Sequence, residues 1–199
     1  MIEQRPVVAV DFDDVIGGFN RAFYPWHNEH YGTNVAFHEV VSYDMPRLLG
    51  IDEAQLHARA DRFVEECHHR ILPLEGAFAG LNRLAKAFEL HVVTSRCETL
   101  ASTTSAWLLH HKLDRFSELH FTNGFNSRFP ERRRRKLDVC RVIGAIALVE
   151  DADHHAAEVA AGGIPVLMPA RPWNTGRGHP DIVRCGGWKQ ITTHLLNRT

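Results

Sequence analysis

Short apolar runs that each break off at a cluster of polar groups constrain this chain more than any other feature. Val7–Val10 stops at Asp11, Asp13 and Asp14, residues 90–93 stop at Thr94, Ser95 and Arg96, and Ala145–Val149 stops at Glu150, Asp151 and Asp153. Such short, nearly continuous apolar runs read as strands buried on both faces. Residues 164–168 form a fourth run and residues 119–121 a shorter fifth. Helical patterns lie between them. Residues 76–88 carry Phe78, Leu81, Leu84, Ala85 and Phe88 at helical spacing, and residues 98–112 carry Leu100, Trp107, Leu108 and Leu109. Residues 136–143 end at Gly144, and Asp153–Ala161 closes at Gly162 and Gly163. Alternating strands and helices predict an α/β fold: a parallel sheet with right-handed crossovers, flanked by helices. Ligands of such sheets bind beyond the carboxyl ends of the strands, where the polar clusters fall.

Residues 17–74 interrupt this rhythm. They offer no buried strand, and their better helices are 17–31 and 52–70. They are rich in aromatic residues (Phe19, Phe23, Tyr24, Trp26, Tyr31, Phe37 and Tyr43), most of which are expected to pack a small core. The predicted organisation is a catalytic core of residues 1–16 and 75–199, with residues 17–74 as a helical cap inserted after the first strand.

Several function classes are disfavoured. The net charge of −1 provides no global field for nucleic acid or membrane. Apolar stretches such as Val7–Val10 and 146–149 are too short to span a bilayer, and no run of signal-peptide length precedes Asp11, so a cytoplasmic protein is expected. Cys67, Cys97, Cys140 and Cys185 are scattered without a CxxC pair and read as reduced, structural thiols. The histidines are numerous, but the adjacent pairs 68–69, 110–111 and 154–155 cannot share a helix face, which suits surface or packing roles. The arginines of the run 132–135 read as a solvated basic face.

The chemistry concentrates at the strand ends. Three carboxylates, Asp11, Asp13 and Asp14, need a counter-charge, and magnesium suits oxygen ligands that also receive phosphate. Alternation along an extended chain places Asp11 and Asp13 on one side, so that one attacks while the other moves a proton. The Thr94 hydroxyl can donate to a phosphoryl oxygen, with Ser95 and Arg96 as assistants. Lys136 opens the helix that leads into the third acidic strand and supplies a cation for the transition state. Glu150 and Asp151 complete a metal shell opposite Asp11, whereas Asp153 serves as a helix N-cap or a further acid.

The ordered set DFDDV, VVTSR, Lys136 and LVEDAD resembles the four motifs of the haloacid dehalogenase (HAD) superfamily, over nearly the whole chain. The resemblance implies a Rossmann-like core. It makes Asp11 nucleophile and magnesium ligand, and Asp13 an acid/base whose backbone carbonyl also meets the metal. Thr94 and Lys136 then hold phosphate, and Glu150 and Asp151 hold magnesium. The DDV opening, YGTNV, SYDM, LEGAFAGLNRLAK and RPWN also resemble the 5'-nucleotidase C-type group, which includes the 5'(3')-deoxyribonucleotidases. The sequence departs from that group where Glu150 replaces an aspartate, and from the usual superfamily pattern where Asp14 replaces a glycine. This narrower resemblance implies a magnesium-dependent phosphomonoesterase acting through an aspartyl-phosphate on (deoxy)nucleoside monophosphates, with Phe19, Phe23 and Trp26 stacking on the base. The expected partner is a small phosphorylated substrate, with neither membrane nor nucleic acid, and a homodimer is left open. Alternatives are another small phosphate ester such as a sugar phosphate, dehalogenation, or a non-catalytic binding protein on the same fold.

Overall fold

The computed structural model describes residues 5–124, 130–176 and 178–198. Six parallel strands, β1 (Val7–Val10), β2 (Glu89–Thr94), β3 (Glu118–Phe121), β4 (Ala145–Val149), β5 (Val166–Pro169) and β6 (Ile182–Cys185), line up in the order β3-β2-β1-β4-β5-β6. The chain therefore turns one way from β1 to reach β2 and β3, and the other way to reach β4, β5 and β6. Val10 stands opposite Val92 on one side and Val149 on the other. This register brings the three polar strand ends together at the topological switch point, where open α/β sheets bind ligands.

Among the described residues, eight α-helices accompany the strands: α1 (Phe19–Tyr31), α2 (Met45–Leu49), α3 (Glu53–Cys67), α4 (Ala77–Leu84), α5 (Ala101–His110), α6 (Lys136–Val142), α7 (Asp153–Ala161) and α8 (Trp188–Leu196). Alternation along the strands separates two cores. Val8, Val10, Leu90 and Val92 face α4, α5, α8 and the 17–74 insertion, whereas Ala9, Val93 and Leu148 face α6 and α7. Strand β6 and helix α8 have no counterpart in the sequence-based expectation. β6 is only half-buried and carries Arg184, so it lacks the apolar signature of the inner strands.

The insertion adds no strand to the sheet. Its two connections meet at a bridge between Gly17 and Pro73, where Gly18 N donates to Leu72 O (2.9 Å) and Leu74 N to Ile16 O (2.8 Å). A Cβ on Gly17 would stand 2.9 Å from Ile71 Cγ2, so this crossing demands glycine. Helix α3 starts at a capping box in which Asp52 Oδ1 accepts from Gln55 N (2.7 Å) and Gln55 Oε1 from Asp52 N (3.2 Å). Helices α1 and α3 meet through rings: Phe23 stacks on Phe19 and meets Phe63 edge-on, and Trp26 packs on Phe63. Phe23 and Trp26 are fully buried there, which corrects the expectation that they face a substrate. Their large apolar surfaces are what holds α1 to α3. Among the described residues the four cysteines are free, and no helix is long and apolar enough to cross a membrane.

Candidate active site

The end of β1 is joined to the end of β4 by Asp11 N, which donates to Val149 O (2.9 Å). This places Asp11 beside Glu150 and Asp151. Lys136, the first residue of α6, reaches into the same space, and its Nζ lies 2.7 Å from Asp11 Oδ1 and 2.6 Å from Glu150 Oε2. The contact to Glu150 is a hydrogen bond; the contact to Asp11 is ionic rather than an aligned hydrogen bond. Glu150 Oε1 accepts from the amides of Asp151 (3.0 Å) and Ala152 (2.9 Å) as α7 begins. Both Glu150 oxygens are therefore engaged, one by the lysine and one by the helix start, where negative charge is favoured. Asp153 is the first residue of α7 and not its cap; Ala152 holds the cap position, without a side chain that could accept there.

Asp151 is fully buried. Its Oδ2 accepts from Trp173 Nε1 (2.8 Å), while Oδ1 has no hydrogen-bond partner among the described residues. Burial, with Glu150, Asp14 and Asp11 nearby, pushes its carboxyl well above the usual range. Burial likewise raises Asp11 to about 7 against the pull of Lys136, and raises Asp14 to about 8 with Asp13 adding to the effect. Burial acts against the Glu150 carboxylate too, but Lys136 holds it below its ordinary value. For Lys136, burial works against the ammonium, and Asp11 and Glu150 more than reverse it. Four acidic side chains thus share one buried space with one lysine, and a carboxylate oxygen there lacks a partner. Asp11, Glu150 and Asp151 each offer an oxygen within 4.8 Å of the others. That donor set fits a hard divalent cation such as magnesium, with Asp11 and Asp151 the freer ligands.

The other predicted residues divide. Thr94 is buried; its Oγ1 accepts from Arg96 N (3.2 Å), which leaves its own proton to donate. The Ser95 hydroxyl lies 3.0 Å from His155 Nε2 on α7. Burial and Lys136 push that imidazole down to about 3, so it is neutral, and the Ser95 hydroxyl already has a partner. Arg96, expected on phosphate, instead grips the Asp13 carboxylate with two hydrogen bonds of 2.9 and 2.7 Å. Asp13 therefore meets the site through a side chain held by Arg96. Beneath the insertion lies a cavity of about 40 Å³, lined by Asp13, Asp14, Phe19, Tyr43, Met45 and Arg96 among others. Of the three aromatic residues expected to stack on a base, only Phe19 reaches it.

Sequence reasoning gave no role to the residues that brace the acids. Asp14 has a left-handed backbone (φ 55°), which aspartate tolerates better than most residues, and its carboxylate accepts from Asn20 N at the start of α1 (3.2 and 3.3 Å). Arg171 donates to the Asp14 carbonyl from Nε (3.1 Å) and Nη2 (2.8 Å). Asn174 Nδ2 donates to the Asp151 and Pro169 carbonyls (2.9 Å each). Together with Trp173, these side chains of the RPWN segment lace the β5–β6 connection to both acidic loops. The available signal was that segment itself, a polar and aromatic cluster directly after an apolar run.

No family model matches the chain, and no curated protein matches it. Solved structures do. The chain is similar to the HAD-type hydrolase YfnB of Bacillus subtilis, crystallised with magnesium, at 15% identity and a TM-score of 0.65, covering 98% of this chain and 100% of that one. It is similar to a predicted phosphoglycolate phosphatase from Haemophilus somnus (14% identity, TM-score 0.67, 98% and 100% covered). It is also similar to an L-2-haloacid dehalogenase from Xanthobacter autotrophicus with covalently bound chloropropionic acid (13%, 0.63, 98% and 100%). At such identities the likeness establishes the fold: the chain has the Rossmann-like HAD architecture. It lends no support to the narrower nucleotidase group.

Proposed function

We propose that this protein is a magnesium-dependent phosphomonoesterase that works through an aspartyl-phosphate on Asp11. The observation that carries this reading is the buried meeting of Lys136 with Asp11 and Glu150, beside an Asp151 oxygen that has no partner. An Asp11 carboxylate oxygen attacks phosphorus, and the bond to the ester oxygen breaks. The leaving alkoxide takes a proton from Asp13, which then removes one from the water that hydrolyses the aspartyl-phosphate. Thr94 donates to a phosphoryl oxygen, and Lys136 offsets the growing negative charge. Magnesium, held by Asp11, Asp151 and the Asp13 backbone carbonyl, would neutralise phosphate charge so that an anionic carboxylate can approach it. Dehalogenation needs no proton for its halide, so it leaves Asp13 and the buried acids without work.

The substrate is a small phosphate ester, and nucleoside monophosphates and sugar phosphates are the two classes to be separated. Residues 17–74 serve as a cap over the strand ends, hinged at the crossing of Gly17 and Pro73. The test is p-nitrophenyl phosphate hydrolysis with and without magnesium, for the wild type and Asp11→Asn. The expected result is metal-dependent turnover that the substitution abolishes; turnover that survives it removes Asp11 from its role. Phosphate release from a panel of nucleoside monophosphates and sugar phosphates then assigns the class.

A further inference from the structure

A second cluster of ligand-type side chains lies on β2 and β3, toward the amino-terminal ends of the strands and away from the acidic site. The parallel register sets His91 opposite Glu118 and Val93 opposite His120. Since side chains alternate between faces, Glu89, His91, Glu118 and His120 all fall on one face of this strand pair. His91 Nδ1 lies 3.0 Å from His120 Nε2, and His120 Nε2 lies 3.6 Å from Glu118 Oε2. His91, His120 and Glu118 each offer one ligand atom within 4.8 Å of those of the other two. The His91 side chain is 9% exposed and that of His120 12%, whereas that of Glu118 is 65% exposed, so the cluster is accessible from one side.

We infer that His91, His120 and Glu118 form a binding site for a transition-metal ion of the zinc class, separate from the acidic site. Tetrahedral zinc with bonds of about 2.0–2.1 Å requires neighbouring donors about 3.3 Å apart, and the two short separations bracket that spacing. Two imidazoles and one carboxylate suit zinc, copper or nickel; magnesium prefers an all-oxygen shell. The tautomers are also prepared. His91 Nε2 lies 3.2 Å from Glu89 Oε1, and a proton held there leaves Nδ1 unprotonated and facing His120. A carboxylate behind a ligand imidazole is a recurrent support of metal sites. When the metal binds, the proton on His120 Nε2 leaves that nitrogen and the neutral ring carries its one proton on Nδ1, so both facing nitrogens offer lone pairs. The rings lie within 6° of parallel, so His120, on the edge strand, turns to direct its lone pair at the ion. Arg134 beside His120 and Arg5 beside Glu89 oppose a cation here, and Glu89 and Glu118 offset them.

The experiment strips the chain of metal, saturates the acidic site with magnesium and then titrates zinc, and repeats this for Asp151→Asn, His120→Ala and Glu118→Gln. The expected result is one zinc per chain in the wild type and Asp151→Asn, with affinity at least tenfold weaker in His120→Ala and measurably weaker in Glu118→Gln. Zinc binding that is equal in wild type, His120→Ala and Glu118→Gln overturns the site, as does the absence of micromolar binding in the wild type. If His120→Ala fails to fold, the exposed Glu118→Gln and the imidazole NMR signals of the wild type decide. Zinc must shift the His91 and His120 signals, and signals that do not move refute the proposal.

Discussion

Arg96 holds both carboxylate oxygens of Asp13, with Nε 2.9 Å from Oδ2 and Nη2 2.7 Å from Oδ1. The guanidinium is itself fixed: Nη1 donates to Thr104 (3.0 Å), and its carbon lies 4.0 Å from the centroid of the Phe12 ring. A two-pronged pair of this kind sets direction as well as charge, which lysine cannot reproduce. If Asp13 moves the proton, Arg96 acts by positioning it. Arg96→Lys should then lower kcat on alkyl phosphates by roughly 10- to 100-fold, within the range of general acid catalysis. Turnover of p-nitrophenyl phosphate, whose leaving group needs no proton, should fall much less. Equal losses on both esters would mean that Arg96 only supports the fold.

Trp173 orients Asp151 through a single indole hydrogen bond of 2.8 Å. Trp173→Phe keeps most of the ring volume and removes that donor. Magnesium affinity should weaken by roughly tenfold or more, as for other groups that stand behind metal ligands. Activity should return at high magnesium. Magnesium-dependence curves that superimpose for the two proteins would remove Trp173 from this role.

Lys136 is the cation between Asp11 and Glu150, and all three side chains are buried. Lys136→Met would leave two carboxylates facing each other without it. Breaking a buried pair in this way costs about 3–5 kcal/mol. Urea denaturation without metal should show a loss of that order, and magnesium should restore part of it. A loss below about 1 kcal/mol, well under that range, would mean that the pair contributes little.

The raised carboxyls make a pH prediction whose sign is determined. Asp11, at about 7, and Asp14, at about 8, keep protons in the folded chain that the unfolded chain, with an aspartate value of 3.8, has released. Stability of the metal-free protein therefore falls as pH rises through this window, and grows as pH drops from 8. Below the ordinary histidine value of 6.5 a second effect opposes it. His155 is pushed down to about 3 by burial and Lys136, and His27 to about 4 by burial and Arg59, so both resist protonation in the fold. In the window between pH 8 and about 7.5, a unit above the ordinary histidine value, the carboxylates dominate. The urea midpoint of chelator-treated protein should rise across it, and saturating magnesium should flatten the rise. A flat profile without metal would contradict the assigned burial.

How much of this was legible in the sequence follows from the range of each signal. Strands β1, β2 and β4 and their polar ends were legible because apolar runs and their breaks are local. Helix α7 was legible to the residue, because its glycine stop lies beside it. For Phe23 and Trp26 the sequence left two readings, packing a small core and stacking on a ligand, since both leave the same letters. The grip of Arg96 on Asp13 spans 83 positions, and that of Arg171 on Asp14 spans 157. No periodicity encodes such partners. The order β3-β2-β1-β4-β5-β6 decides which loops meet, and only then do side-chain length and charge select a partner. The sequence by itself determined which elements form and where their chemistry ends up along the chain. The tertiary structure decided which acid keeps an unpartnered oxygen, which arginine is already engaged and which histidines share a face. Those outcomes depend on distances across the sheet, where burial and charge act over a few ångströms regardless of position in the chain.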